Sequence, residues 1–155
     1  LVAELQKKGL KAATAESCTG GLVSKRITEV AGASQVFDCG ICSYANQIKE
    51  RVLGVSHETL EALGAVSRET AAQMAAGVRK LAQADIGVST TGIAGPDGGT
   101  DEKPVGLVYV GVDSENYSTV LECRLSRGYR DERELIRYLT SSHALRLALT
   151  AARKA

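Results

Sequence analysis

Apolar positions in this chain switch repeatedly between the period of a helix and that of a strand, with glycine and small polar residues at the switches. The first residues predict a helix ending before Gly9, then a strand around Lys11 to Ala15 that leads into a corner at Ser17. A helix from about Gly20 to Val30 follows. Val36 to Ala45, with Phe37, Ile41 and Tyr44, predicts a second strand. Asn46 to Leu53 predicts a short helix closed by Gly54, and Ser56 to Leu63 another closed by Gly64. Ser67-Arg68-Glu69-Thr70 has the form of a helix start, and the alanine-rich run Ala71 to Ala82 continues it as a helix that should pack on a sheet. Ile86 to Thr90, Val105 to Val112 and Thr119 to Leu125 are β-rich, the last two joined by Asp113-Ser114-Glu115-Asn116 as an antiparallel hairpin. From about Arg130 to Ala152 the pattern is helical again, with Leu135, Ile136, Leu139, Leu145 and Leu149 at helical spacing.

Strands and helices alternating through the first two thirds, then a hairpin and a helix, predict an α/β fold. The expected architecture is a three-layer α/β/α sandwich on a mixed, mostly parallel sheet of about five strands. Residues 1–155 read as one domain, without internal repeat or linker. Both prolines, Pro96 and Pro104, fall between Gly92 and Pro104. That segment is either a functional loop or a surface loop stiffened by Gly and Pro turns. Loops at the carboxyl ends of strands collect at one sheet edge, where this one could close over the Ser17 corner.

Composition narrows the class of partner. Hydrophobic residues at 44% and charged residues at 24% match ordinary globular domains and argue against disorder or a fibrous repeat. Nineteen Lys plus Arg against 18 Asp plus Glu leave a formal charge of +1, which gives no electrostatic reason to expect nucleic acid as a partner. No apolar run is long enough to span a bilayer and no secretion signal stands at Leu1, so a cytoplasmic location away from membranes is expected. Cys18, Cys39, Cys42 and Cys123 read as buried, reduced thiols. Cys39 and Cys42 lie three apart on a strand and so face opposite sides, and the two histidines are far apart, so no metal constellation stands out.

Candidate chemistry centres on Ala15-Glu16-Ser17-Cys18-Thr19-Gly20-Gly21. Two glycines at a helix start let unpaired first-turn N–H groups approach an anion, with the hydroxyl of Ser17 beside them. On the residues alone, Ser17 and Thr19 are equally readable as helix caps. A Ser-His-Asp triad finds no partner, because His57 opens a short helix and His143 lies within the last one. The other common activator of a serine is a lysine whose pKa is lowered by burial. Lys49, just beyond the second strand, is the best candidate, with Tyr44 and Asn46 placed to hold its amine. A solvated helix lysine is the plainer reading.

Several blocks change these odds: Thr14 to Gly21, Ser43-Tyr44-Ala45-Asn46 with Lys49, Leu53-Gly54-Val55, Gly64-Ala65-Val66-Ser67, Thr91-Gly92-Ile93-Ala94-Gly95-Pro96-Asp97-Gly98-Gly99, and Lys103-Pro104-Val105-Gly106. In order and over nearly the whole chain, they closely resemble the CinA carboxy-terminal domain family, whose name comes from competence and DNA damage. Members of that family include nicotinamide-nucleotide amidohydrolases, which convert nicotinamide mononucleotide to nicotinate mononucleotide and ammonia without a metal or other cofactor. The resemblance implies Ser17 as nucleophile and Lys49 as general base, with Tyr44 orienting or polarising the pair. Substrate would be met by Thr19, Gly20, Gly21, Asn46, Thr91, Gly92 and Gly95, with Arg130, Arg133 and Arg137 as candidate phosphate ligands. Thr90-Thr91 stands where many relatives carry serine before Gly92. Besides the nucleotide, a second copy of the chain is the expected partner. Two other readings remain at this stage: a noncatalytic nucleotide-binding or regulatory module on the same glycine corner, and a Cys18-based thiol enzyme, which requires a lowered thiol pKa.

Overall fold

The computed structural model describes residues 1–155. Its organising strand is β1 (Ala12–Glu16), buried along its whole length because it lies inside the sheet. β2 (Phe37–Cys42) runs parallel to it on one side and β3 (Ile86–Gly92) parallel on the other. β4 (Leu107–Ser114) is antiparallel to β3, and β5 (Thr119–Arg124) to β4, giving the order β2-β1-β3-β4-β5. The chain leaves β1 for β2 and later enters β3 on the opposite side. Such a reversal of strand order leaves a crevice beyond the strand carboxyl ends. Glu16 is in register with both Cys42 and Thr90. The next residues on each strand, Ser17, Ser43 and Thr91, therefore meet at that edge.

Helices cover both faces and complete the three-layer α/β/α sandwich. One core packs Ile86, Val88, Val108 and Val110 of the sheet against α1 (Val2–Lys8), α2 (Leu22–Thr28) and α6 (Arg133–Lys154), through Leu5, Val23, Ile27 and Ile136. The other packs Ala13 and Ala15 with Val55 against α3 (Asn46–Leu53), α4 (His57–Leu63) and α5 (Arg68–Ala82), through Leu53, Leu60, Met74 and Val78. Each fully buried large side chain of this kind contributes roughly 1.5–3 kcal/mol. α5 lies unusually close to the sheet. A Cβ on Gly87 would come within 2.0 Å of the Ala75 carbonyl, and one on Gly111 within 2.6 Å of that of Ala71. Ser89 Oγ donates to the same Ala71 carbonyl at 2.5 Å. Small residues on this face are what let the helix backbone sit on the strands.

Every expected element is present, and the boundaries differ where local chemistry decides them. α2 starts at Leu22 rather than Gly20, because Gly20 and Gly21 hold φ values of 59° and 98° that no helix contains. β2 stops at Cys42 instead of running to Ala45, and β4 starts at Leu107 because Gly106 turns at φ 91°. Asp113 and Ser114, expected in the hairpin turn, belong to β4. α6 starts at Arg133 rather than Arg130, since Glu132 turns its carboxylate back onto Ser126 Oγ at 2.5 Å and onto the Arg127 N–H. Those bonds, the Ser126 hydroxyl first, hold the Glu132 carboxyl below the usual carboxylate range. The expectation of four buried thiols is corrected at two positions: Cys42 is exposed and Cys39 half-buried, because β2 is an edge strand whose burial alternates.

Candidate active site

Ser17 follows directly on β1, its N–H donating to the Thr90 carbonyl at 2.9 Å and so continuing the sheet for one more residue. Ser43 follows on β2 and donates to the Glu16 carbonyl at 2.8 Å. From the first turns of α3, Lys49 reaches back into this corner and is 1% exposed. Its Nζ lies 3.1 Å from Ser17 Oγ, 2.7 Å from the Ser43 carbonyl and 3.4 Å from the Tyr44 carbonyl. All three partners are uncharged. Burial accordingly pulls the amine down from 10.5 to about 8. A neutral amine has two N–H bonds and one lone pair. With the two carbonyls taking the N–H bonds, the lone pair is left facing Ser17 Oγ.

The corner after Ser17 is built differently from expectation. The carboxylate of Glu16, 1% exposed, occupies the start of α2. It accepts from the N–H groups of Gly21, Val23 and Ser24 at 2.8–3.0 Å, and from the hydroxyls of Thr19 and Ser24 at 2.6 and 2.7 Å. The helix terminus is thus already neutralised by the chain itself. Gly20 donates to the Ser17 carbonyl at 3.1 Å, closing a turn, and Thr19 is fully buried with its hydroxyl also 2.7 Å from that of Thr90. The Thr19 hydroxyl and the N–H groups of Gly20 and Gly21, residues expected to meet substrate, are therefore committed internally. The N–H groups of Cys18 and Thr19 donate to no protein acceptor. Cys18 immediately follows the serine, the position where an oxyanion is usually received, and borders the space in front of Ser17, whereas Thr19 is fully buried.

Ser17 and Lys49 open onto a cavity of about 260 Å³ lined also by Cys18, Tyr44, Ala65, Val66, Thr91, Arg133 and the segment Gly92 to Gly98. Thr91, Gly92 and Gly95 stand there as expected, although the Thr91 hydroxyl is used to hold the Ala65 carbonyl at 2.6 Å. Arg133 donates to the Gly95 carbonyl at 2.8 Å and to the Tyr44 hydroxyl at 3.2 Å, which fixes the guanidinium at the cavity mouth. Tyr44 thus touches Lys49 through its carbonyl, while its ring is 65% exposed and its phenol serves Arg133. Asn46 is exposed outside the lining, and Arg130 is exposed on the preceding loop. Arg137 lies behind the cavity, bonded to the carbonyls of Cys18 and Thr19. Ala65, Val66 and Asp97 line the site without having been singled out. They belong to quoted motifs, but nothing in their residue types marked them. Cys18 is buried, and burial pushes its thiol up to about 12, the opposite of what a thiolate nucleophile requires.

Comparison with known proteins places this geometry in a family. The chain matches the CinA C-terminal domain over residues 1–152. It is 57% identical over 141 residues to a Thermoanaerobacter pseudethanolicus protein whose provisional name is competence-damage inducible protein, covering 91% of this chain and 33% of that one. A CinA-like protein of Desulfovibrio desulfuricans is 50% identical over 145 residues, 94% of this chain and 34% of the relative. The chain thus spans about a third of the length of these curated relatives. Among solved structures, the competence/damage inducible protein CihA from Agrobacterium tumefaciens superposes with a TM-score of 0.92 at 43% identity, over 97% of this chain and 90% of that one. A CinA superfamily protein from Escherichia coli gives 0.87 at 30% identity, over 96% and 84%. This chain belongs to the CinA C-terminal domain family.

Proposed function

We propose that this domain is a serine amidohydrolase acting on the carboxamide of nicotinamide mononucleotide. The observation that carries the reading is the 3.1 Å approach of a buried lysine, with pKa lowered to about 8, to a serine at the end of a strand. Neutral Lys49 accepts the Ser17 proton as Oγ attacks the carboxamide carbon, and the carbonyl electron pair moves onto oxygen beside the N–H of Cys18. Collapse breaks the carbon–nitrogen bond, and Lys49 returns the proton to the departing ammonia. Water, deprotonated by Lys49 in turn, hydrolyses the acyl ester and restores Ser17. Arg133 supplies the cationic fork for a phosphate at the mouth, and Asp97 a carboxylate for sugar hydroxyls.

Ammonia release from nicotinamide mononucleotide tests the reading. Ser17→Ala should fold normally and lose turnover by several orders of magnitude, about 10⁴-fold or more, as removal of a covalent nucleophile does. Cys18→Ala should keep most activity, its thiol being held protonated. A wild-type protein that binds the nucleotide without releasing ammonia would instead make the domain a binding module.

A further inference from the structure

We infer that Arg137 is a positioning residue for the oxyanion site: by gripping the turn after Ser17 from behind, it holds Cys18, which borders the cavity, so that its free N–H meets the developing negative charge. The inference rests on the serine amidohydrolase reading and adds a residue that touches no reacting atom. Arg137 Nε donates to the Cys18 carbonyl at 3.2 Å and Nη2 to the Thr19 carbonyl at 2.8 Å. With the Ser17 carbonyl held by the Gly20 N–H, these two bonds fix the peptide planes on the far side of Cys18 and so the direction of the Cys18 N–H.

The surrounding bonds single out this turn. Along residues 17–24 every N–H is used inside the protein except two. Ser17 donates to Thr90, Gly20 to Ser17, Leu22 to Thr19, and Gly21, Val23 and Ser24 to the Glu16 carboxylate. The two left over are on Cys18 and Thr19, and of these residues only Cys18 borders the cavity, Thr19 being fully buried. Arg137 enters no ion pair, so its charge is directed at these carbonyls rather than quenched by a carboxylate. It is absent from the cavity lining, which removes it from direct contact with a phosphate there. Nη2 packs closely over Gly20, 3.4 Å from where a Cβ would stand there. Arg133, one helical turn earlier, faces the cavity mouth, so adjacent turns of α6 divide the work between substrate and backbone.

The test compares Arg137→Gln and Arg137→Lys with the wild type, each first shown to be folded by its thermal transition. In Arg137→Gln, kcat for nicotinamide mononucleotide should fall about 10- to 100-fold, approaching the effect of losing one oxyanion donor, while KM stays within about threefold. The ionisation of Lys49 read from the pH profile should stay in place. Arg137→Lys, which restores a charge without the fork, should recover part of the loss. Phosphonylation of Ser17 by a fluorophosphonate should slow by a similar factor, because negative charge there develops on a phosphoryl oxygen at the same place. Wild-type kcat and labelling in Arg137→Gln, or a raised KM with unchanged kcat, overturns the inference while leaving the amidohydrolase reading intact. A wild-type protein inert towards nicotinamide mononucleotide, yet labelled at Ser17 in an Arg137-dependent way, overturns the substrate and supports the role of Arg137.

Discussion

Lys49 makes the mechanism measurable through pH. At its ordinary value of 10.5 only about 0.03% of the amine would be neutral near pH 7, whereas at about 8 the fraction is about 10%, a gain of roughly 300-fold in competent base. If the proton of Ser17 goes to Lys49, kcat should fall close to tenfold per pH unit below about pH 7 and level off above about pH 8.5. The same burial leaves a signature in stability. The folded-state pKa is below the unfolded one, so between about 8 and 10.5 the unfolded chain binds more protons and stability rises with pH. Below that window the folded protein carries the full burden of a buried ammonium. Buried thiols such as Cys18, whose pKa is raised, oppose that rise above about pH 9, so the quantity to follow by denaturant unfolding is the stability of the wild type minus that of Lys49→Met, which should increase with pH across the window. Lys49→Arg should be nearly as inactive as Lys49→Ala, because a guanidinium stays protonated and cannot accept the serine proton. A kcat that is flat from about pH 6 to 9, or an active Lys49→Arg enzyme, would refute the base assignment.

Three further outcomes follow from the same geometry. Arg133→Ala should narrow the preference for the nucleotide over the nucleoside, read as the ratio of their kcat/KM values, and an unchanged ratio would remove Arg133 from the phosphate. Glu16→Gln should lower stability by about 2–4 kcal/mol in denaturant unfolding, because one amide oxygen cannot serve the five donors that the carboxylate now satisfies. An unshifted transition would mean the α2 terminus finds other partners. Gly87→Ala should be destabilised by about 3 kcal/mol or more, as its Cβ meets the backbone of α5, and a neutral effect would show that the helix can lift away.

Sheet and helices were legible because period and punctuation coincide: Gly9, Gly54 and Gly64 each end a helix where the apolar spacing stops. Ser17 and Lys49 were legible as a pair only once the motifs were read together, since 32 residues separate them. What escaped was the partner of each backbone group. Glu16 falls just past the expected strand with no role assigned to it, yet Gly20 and Gly21 fold the chain back so that its carboxylate caps the helix beginning six residues later. The anion inferred for that terminus is real in kind, but it belongs to the protein. Arg133 and Arg137 share a helical spacing that makes them look equivalent. Their different targets arise from how α6 crosses the end of the sheet, which no local pattern encodes. Tyr44 lies beside Lys49 through its carbonyl, an atom every residue carries, so its residue type did not mark the contact.

The Ser17–Lys49 contact closes a ring. Ser17 is joined by its peptide bond to Glu16, whose carbonyl accepts from Ser43, whose carbonyl accepts from Lys49, whose Nζ returns to Ser17 Oγ. A nucleophile and base tied together in this way are assembled before any substrate arrives, so no closure step has to bring them into register. The steps left outside the ring are the arrival and departure of a ligand at the cavity bordered by Tyr44, Arg133 and the segment after Thr91. Turnover in this protein should therefore respond to solvent viscosity through arrival and departure, while the bond-breaking step itself stays indifferent to it.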